Sequence, residues 1–422
     1  MKALTIFMFE LKHFWRSKFK VVALLLFMVA GVYGLHNGAA LYQKQSSEIE
    51  SIHLKTETQK AEILDYFDKG EKGPAARSWV DVTTPFWAIW YTPIYDFKNP
   101  SSAMVYSIGQ AEQYGFYKRI TFWASPYDAD MAQEIANPER LQTGTLDFSF
   151  VLLFLLPLLL LILVYNLKAS EAEQGFLPLI EVQSASKHIW LLARLGFYVV
   201  LVFVTCLLLI TYGASLTQVF NQNPQAFLQV VLYSLLYLLF WAIIFFFILK
   251  NGQTVVANTL KMVGIWLILA FVIPASVHQW VGVKHPTNLM TDFIDAQRDD
   301  RESLFALSED EIITKLKALF PEIEQSVAAK DSTKTNMAMN RSGAALANEL
   351  VKQGIAPIEY ENHEKNKLIS ASFWLNPVTF FQNKLNSISK THYEDYQDYR
   401  NGIQAKIDNQ IKMMVLDMWN DV

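Results

Sequence analysis

Apolar residues in this chain gather into four long runs free of charge rather than into the short periodic stripes of a soluble domain. Lys, Arg, Asp and Glu are absent from residues 21–40, 148–167, 195–249 and 262–283. A membrane-crossing helix needs about 20 predominantly apolar residues. Five such helices fit, at 20–39, 148–167, 189–213, 226–249 and 260–281, the third and fourth parted by the polar, Pro-containing stretch 217–225. Gly31, Gly34 and Pro157 fall inside these runs and are compatible with spanning, because neighbouring helices re-satisfy freed backbone groups. No small-residue cleavage site of the Ala-x-Ala kind follows the first run, so it reads as a span and not as a signal peptide. The expected fold class is an all-α polytopic membrane protein.

The segments between the spans have distinct characters. In residues 1–19, Leu4, Phe7, Met8, Leu11, Phe14 and Trp15 recur at helical spacing while Lys12, His13 and Arg16 fall off that face. This predicts an amphipathic elbow helix lying in the membrane interface and turning into the first span. Lys2, Lys12, Arg16, Lys18 and Lys20 stand against the single acid Glu10, which places the N-terminus in the cytoplasm. Alternation then puts 40–147 outside, 168–188 inside, 214–225 outside, 250–259 inside and 282–422 outside. Lys261, one turn inside the inner edge, reads as a snorkelling lysine.

Both long outer segments are expected to be mainly helical. Residues 41–73 are rich in Gln, Glu, Lys, Leu and Ile and free of proline, which predicts a helix prolonging the first span outward. Trp79, Phe86, Trp87, Trp90, Tyr91 and Tyr95 crowd into 79–97 and read as a small aromatic core, with an interfacial or docking element as the alternative. In 282–422, Ser308 and Glu311 make a capping box opening a helix with Ile312, Leu316, Leu319 and Phe320 on one face, closed by Pro321. Helical periodicity continues over 343–352 and 380–418, with breaks expected near 354–357 and at Asn376-Pro377.

Composition narrows the function classes. The chain is 52% hydrophobic and only 18% charged, with a net charge of -4, and the pI near 6.1 supplies no basic field for nucleic acid. Cys206 stands alone, which excludes a disulfide or a Cys-based metal site within one chain. No phosphate-binding Gly-x-x-x-x-Gly-Lys-Ser/Thr loop occurs, nor a His-Glu-x-x-His, Gly-x-Ser-x-Gly or Cys-x-x-Cys motif. His278 and His285 are too few to hold a metal, with Gly282 and Pro286 interrupting a continuous helix. Asp299/Asp300 and Glu309/Asp310/Glu311 read as solvated helix faces. The spans read as free of paired charges, which argues against a midplane ion relay. A membrane enzyme would need a convergent set among His53, His285, His363 and His392, which nothing in their spacing suggests.

One cytoplasmic segment has the character of a lever. Residues 168–188 carry Glu171 and Glu173, then Gly175, then Phe176, Leu177, Leu179 and Ile180 before Glu181. A short amphipathic helix behind a glycine suits a partner's groove, and a plain hairpin is the alternative.

Here the residues resemble a family. The elbow helix, the span core and the Glu-rich hairpin between second and third spans are similar to ABC-2 type transporter permeases. The run Asn137-Pro138, Gly144, Leu146-Asp147-Phe148, Phe150-Val151-Leu152, Leu156-Pro157-Leu158, Tyr165-Asn166-Leu167 and Glu171-x-Glu173-x-Gly175 resembles the bacterial subgroup with two large extracytoplasmic loops, related to nitrous-oxide-reductase-maturation permeases. Tyr33 to Gly38, Ile108-Gly109-Gln110, Leu375-Asn376-Pro377 and Phe381-Gln382 add to the likeness. The resemblance implies a multi-pass protein of the bacterial inner membrane with no catalytic residue, metal or cofactor of its own. It implies ATP and Mg on a separate cytoplasmic ATPase dimer, and a second permease chain, identical or paralogous. It also implies a closing sixth span, from which this sequence, with five, departs. On that reading Glu171 and Glu173 dock on the ATPase by charge, Phe176, Leu177 and Leu179 by apolar contact around Gly175, and Phe7, Leu11, Phe14, Trp15 and Arg16 form the elbow. The cargo would be an amphiphile, lipid-linked molecule or peptide, or else motion passed to an extracytoplasmic partner. The alternative is an ATP-independent receptor or scaffold whose spans merely anchor it in lipid.

Overall fold

The computed structural model describes residues 3–77, 79–84, 87, 91, 94–120, 146–183, 187–252, 254–286, 292 and 306–420. Phe86, Trp90, Asn137-Pro138, Gly144 and Asp299/Asp300 lie outside the described residues. The chain is mostly helical, and among the described residues five helices are long and apolar enough to cross a membrane.

Helix α1 (Ala3–Arg16) turns at Ser17 into α2 (Lys18–Lys69). At about 1.5 Å per residue, α2 far outlasts a bilayer, and it continues unbroken from the first span as the 41–73 pattern predicts. The second span, α3 (148–164), is followed by α4 (Ala169–Glu173) and α5 (Leu177–Gln183). The remaining spans are α6 (Lys187–Leu216), α7 (Pro224–Asn251) and α8 (Val255–Lys284). Beyond them come α9 (Glu309–Leu319), α10 (Ser332–Ala371), α11 (Pro377–Ser389) and α12 (Tyr393–Asn420). We call the bundle end beside α1 the elbow end and the opposite one the far end.

Span α3 is the hub. Its most apolar window is 67% buried inside the protein, whereas that of α8 is only 11% buried and turns its side chains outward. The first span approaches α3 closely because glycines line the contact. A methyl group on Gly34 would lie 2.7 Å from the Asp147 backbone, and one on Gly38 2.7 Å from the Val105 carbonyl oxygen. Both α3 and α8 widen into a single π turn, at Val151–Leu155 and Ile268–Val272, directly before the turns that carry Pro157 and Pro274. The carbonyl of Leu153, which Pro157 cannot serve, accepts from the Tyr237 hydroxyl of α7 at 2.7 Å. The two π turns meet through Phe154 and Phe271, whose ring centroids are 5.4 Å apart.

At the far end, motifs from distant parts of the sequence converge on Asp147. It caps α3, accepting from the Phe150 amide at 2.8 Å and the Ser149 hydroxyl, and its other oxygen accepts from the Ile108 amide at 3.0 Å. Asn37 donates to the neighbouring Leu146 carbonyl at 3.0 Å. Burial pushes the Asp147 carboxyl upward, against hydrogen bonds that hold it down. Asp147→Asn presents an amide nitrogen to one of these N–H donors. We expect a loss of about 1–3 kcal/mol in unfolding free energy, readable as a lower thermal midpoint of the detergent-solubilised protein.

The far-end body departs from the sequence reading in three ways. First, Ile94–Phe97 (β1) and Tyr117–Ile120 (β2) form an antiparallel pair with Ile94 opposite Ile120, inside a segment expected to be mainly helical. Tyr95 stacks on Phe97, and Phe97 lies tilted against His53 of α2 at 4.4 Å, so part of the aromatic cluster packs together at half-buried positions, while Trp79 is exposed. Second, α10 runs straight through Pro357, where a break was expected. A proline removes one helical hydrogen bond, and packing of α10 against α12 outweighs that loss. Asn348 and Lys352 of α10 both bond to Asp408 of α12, at 2.7 and 3.0 Å, and Trp419 donates to Ser342 at 3.0 Å. Third, α11 leaves the far-end body to join the core of the spans through Val378, Phe381 and Leu385. The capping box of Ser308 and Glu311 is present as predicted.

Lys98 ties these pieces together, donating to the Lys390 carbonyl at 2.7 Å and lying over the Tyr396 ring. Burial, opposed by Asp395 and reinforced by Lys390, lowers its pKa to about 8. Below that pH both folded and unfolded chains hold the proton, and the cost of burying the ammonium is present in full. As pH rises from about 8 toward the ordinary lysine value of 10.5, the folded chain releases its proton first and is stabilised. The difference in thermal midpoint between wild type and Lys98→Met should therefore move in favour of wild type between about pH 8 and pH 10.5.

Candidate functional site

Elbow helix α1 does not simply lie on the membrane. Ile6, Glu10 and Phe14 are buried, and Phe7 meets Phe197 of α6 edge-on at 5.6 Å, so one face packs on the bundle. Met8, Phe9, Leu11 and Trp15 are exposed, as is Arg16. The predicted apolar face is thus divided between protein and surroundings, and the lone acid of the segment is on the protein side.

What Glu10 meets is Arg194 of the third span. The guanidinium of Arg194 pairs with Glu10 through Nε and with Glu171 of α4 through Nη1. Nη1 also donates to the Leu167 carbonyl at 2.6 Å. Beside it, Lys20 donates to the Leu163 carbonyl at 2.6 Å and reaches Asn166 and the Tyr198 hydroxyl at 3.3 and 3.2 Å. Glu10, Lys20 and Arg194 are only 5%, 4% and 6% exposed. Two acids and two bases balance, which is what burial of charge requires. The expectation that the spans carry no paired charge is therefore corrected: Arg194 is paired with Glu10 and Glu171 near the elbow end of the third span.

Part of this is ordinary helix chemistry. The Leu163 carbonyl lies in the last turn of α3 and the Leu167 carbonyl just beyond it, and a cation suits the negative pole of a helix C-terminus. Yet the cluster joins four elements, α1, α2, α4 and α6, through one guanidinium and one ammonium. One oxygen of Glu10 and one of Glu171 have no hydrogen-bond partner among the described residues, so the pairing is not saturated.

The hairpin of α4 and α5 hangs on this cluster. Gly175 closes α4 in the left-handed region, φ 76°, with nothing within 4 Å of where a side chain would begin. Glycine is needed there for backbone conformation and not for space. Glu173 accepts from the Val255 amide at 2.8 Å, and Lys168 donates to the Lys250 carbonyl at 2.5 Å, clasping the hairpin to the loop between α7 and α8. Neither acid stands as expected: Glu171 is turned inward on Arg194, and Glu173, though exposed, bonds to the start of α8. Leu177 and Ile180 face the bundle, whereas Phe176, Leu179 and Val182 are 54%, 58% and 86% exposed. Charge thus holds the hairpin in place, and its exposed edge is apolar.

Sequence reasoning missed Glu10, Lys20, Arg194 and Tyr198 as one unit. A signal existed, since Arg194 interrupts the start of a predicted span and Glu10 is the sole acid among basic residues. His285, considered for a metal, lies 2.5 Å from Glu361 instead, and no group of metal-ligating side chains occurs among the described residues. No family model matches the chain, and no curated protein or solved structure is significantly similar to it.

Proposed function

We propose that this chain is the membrane permease subunit of an ABC-2 type, exporter-like transporter, driven by a separate cytoplasmic ATPase. The observation that carries the reading is the hairpin: an exposed apolar edge, Phe176, Leu179 and Val182, on a helix whose neighbour is tied through Glu171 and Arg194 to the elbow helix and the third span. Such an edge fits a groove in a partner protein. An anchor that only held a receptor in the membrane would have no use for it.

On this reading the elbow end faces the cytoplasm and the far-end body lies outside. ATP and Mg bind the partner ATPase, and closure of its dimer pushes the hairpin. The push acts on the Glu171–Arg194–Glu10 bridge, so α1 and α6 move with α4, and the spans rock against α3. Nucleotide release lets the bridge re-form. The far-end body, fastened at Asp147 and through α11, receives the motion, which serves export of an amphiphile, lipid-linked molecule or peptide, or acts on an exported partner.

A cross-linking experiment tests this. Cys206 is the single cysteine, so Leu179→Cys in a Cys206→Ser background gives one reactive thiol on the hairpin edge. In native membranes it should cross-link to a P-loop ATPase, with a yield that changes when ATP is added. Cross-linking to no nucleotide-binding protein would end the proposal.

A further inference from the structure

We infer that residues 368–383 form the tip of a helical hairpin inserted into the leaflet at the far end of the bundle, with Trp374 and Leu375 against lipid acyl chains. The inference rests on membrane embedding alone and stands apart from the transporter reading. The sequence pattern placed this stretch in an aqueous segment, and three observations place it in lipid.

The first is the descending limb. Helix α10 packs along α8, passing its end where His285 meets Glu361. It then runs ten residues further to Ala371, about 15 Å at the helical rise and close to half a bilayer core. The second is the charge pattern. Glu361, Glu364, Lys365 and Lys367 fall on the first two turns past that helix end, after which Lys, Arg, Asp and Glu are absent from 368 to 383. Such a run is too short to cross and has the length of a re-entrant segment.

The third is the ascending limb. Phe381 of α11 sits 4.8 Å from Tyr237, residue 14 of the 28 in α7 and hence mid-span. Phe381 and Leu385 share a small apolar pocket with Leu152 and Leu156 of α3. The limb ends at Ser389, whose hydroxyl donates to the Ala103 carbonyl beside the far-end junction. The turn between the limbs therefore lies deeper than either end. Its backbone is closed on itself: Leu375 and Asn376 amides donate to the Ser372 carbonyl at 2.9 and 3.1 Å, and buried Asn376 caps α11 by accepting from Thr379. That is the condition for irregular backbone within a membrane. Trp374 is 79% and Leu375 45% exposed, large apolar side chains left uncovered by protein at bilayer depth.

The test uses an environment-sensitive fluorophore on a single cysteine in the Cys206→Ser background, reconstituted in phosphatidylcholine vesicles. Trp374→Cys and Leu375→Cys are the probes and Glu309→Cys, at the exposed start of α9, is the control. The inference predicts blue-shifted emission at 374 and 375, quenching by doxyl-labelled phosphatidylcholine, and loss of quenching by aqueous iodide, all absent at 309. Two positions keep the test open if one variant fails to insert. Iodide quenching at either position equal to that at 309, with no effect of doxyl lipid, would overturn it.

Discussion

Arg194→Met should destabilise the protein by about 3–5 kcal/mol, the cost of breaking a buried ion pair from one side. The substitution leaves the Glu10 and Glu171 carboxylates without the guanidinium that pairs with both. It also strands the Leu167 carbonyl, which now accepts from Arg194. Arg194→Lys should rescue little, because one ammonium cannot reproduce the fork by which Nε and Nη1 serve two acids. The measurement is the thermal midpoint of detergent-solubilised protein, followed by gel filtration. Glu10→Gln with Glu171→Gln and Arg194→Met removes the bridge as a unit and should recover part of the stability, the rest being lost because the buried Lys20 ammonium is left without its two acids. A normal midpoint for the single variant would mean that the bridge carries no weight in the fold.

That triple variant separates two roles of the bridge. If Glu171 and Glu10 only brace the elbow end, the folded triple variant keeps full activity. If they transmit the push of the hairpin, it folds, binds the ATPase and turns over nucleotide without doing work on the spans.

The second large effect is expected at the hairpin edge. Phe176→Asp with Leu179→Asp places two charges where an apolar groove would close over them. Loss of two apolar anchors of about 2 kcal/mol each should weaken ATPase association by roughly a thousandfold, with the thermal midpoint unchanged because both side chains are exposed. Exchanging Glu171 and Glu173 for lysine would be a poor substitute for this experiment. Glu171 is inside the bundle's charge cluster and Glu173 caps α8, so failure of that variant would report folding and not docking.

Much of the bundle was legible in the sequence because charge is all but excluded from the middle of a span. The five predicted spans coincide with the five membrane-length helices to within a few residues at most ends, and the unbroken polar helix after the first span followed from the absence of proline. What escaped were features set by contact between distant residues. Nothing local marks Glu10 and Arg194 as partners across 184 positions, nor Asp147 as acceptor for Ile108. The short β pair, only four residues a side, carries too little periodicity to stand out from its aromatic surroundings. Pro357 was read as a break because local propensity was weighed without the clamp that Asp408 supplies. The hairpin residues were found: composition drew attention to its acids, and only packing could tell that Glu171 faces inward, that Glu173 bonds to the start of α8 and that the apolar edge faces out.

The most direct test of the central claim is purification of this protein from its native membranes in mild detergent, with and without Phe176→Asp and Leu179→Asp, followed by identification of what accompanies it and assay of ATP hydrolysis. The account predicts a stoichiometric P-loop ATPase with the wild-type chain and its loss, together with the ATP hydrolysis, from an otherwise intact variant. A wild-type chain that emerges folded, without an ATPase and without nucleotide hydrolysis, would contradict it.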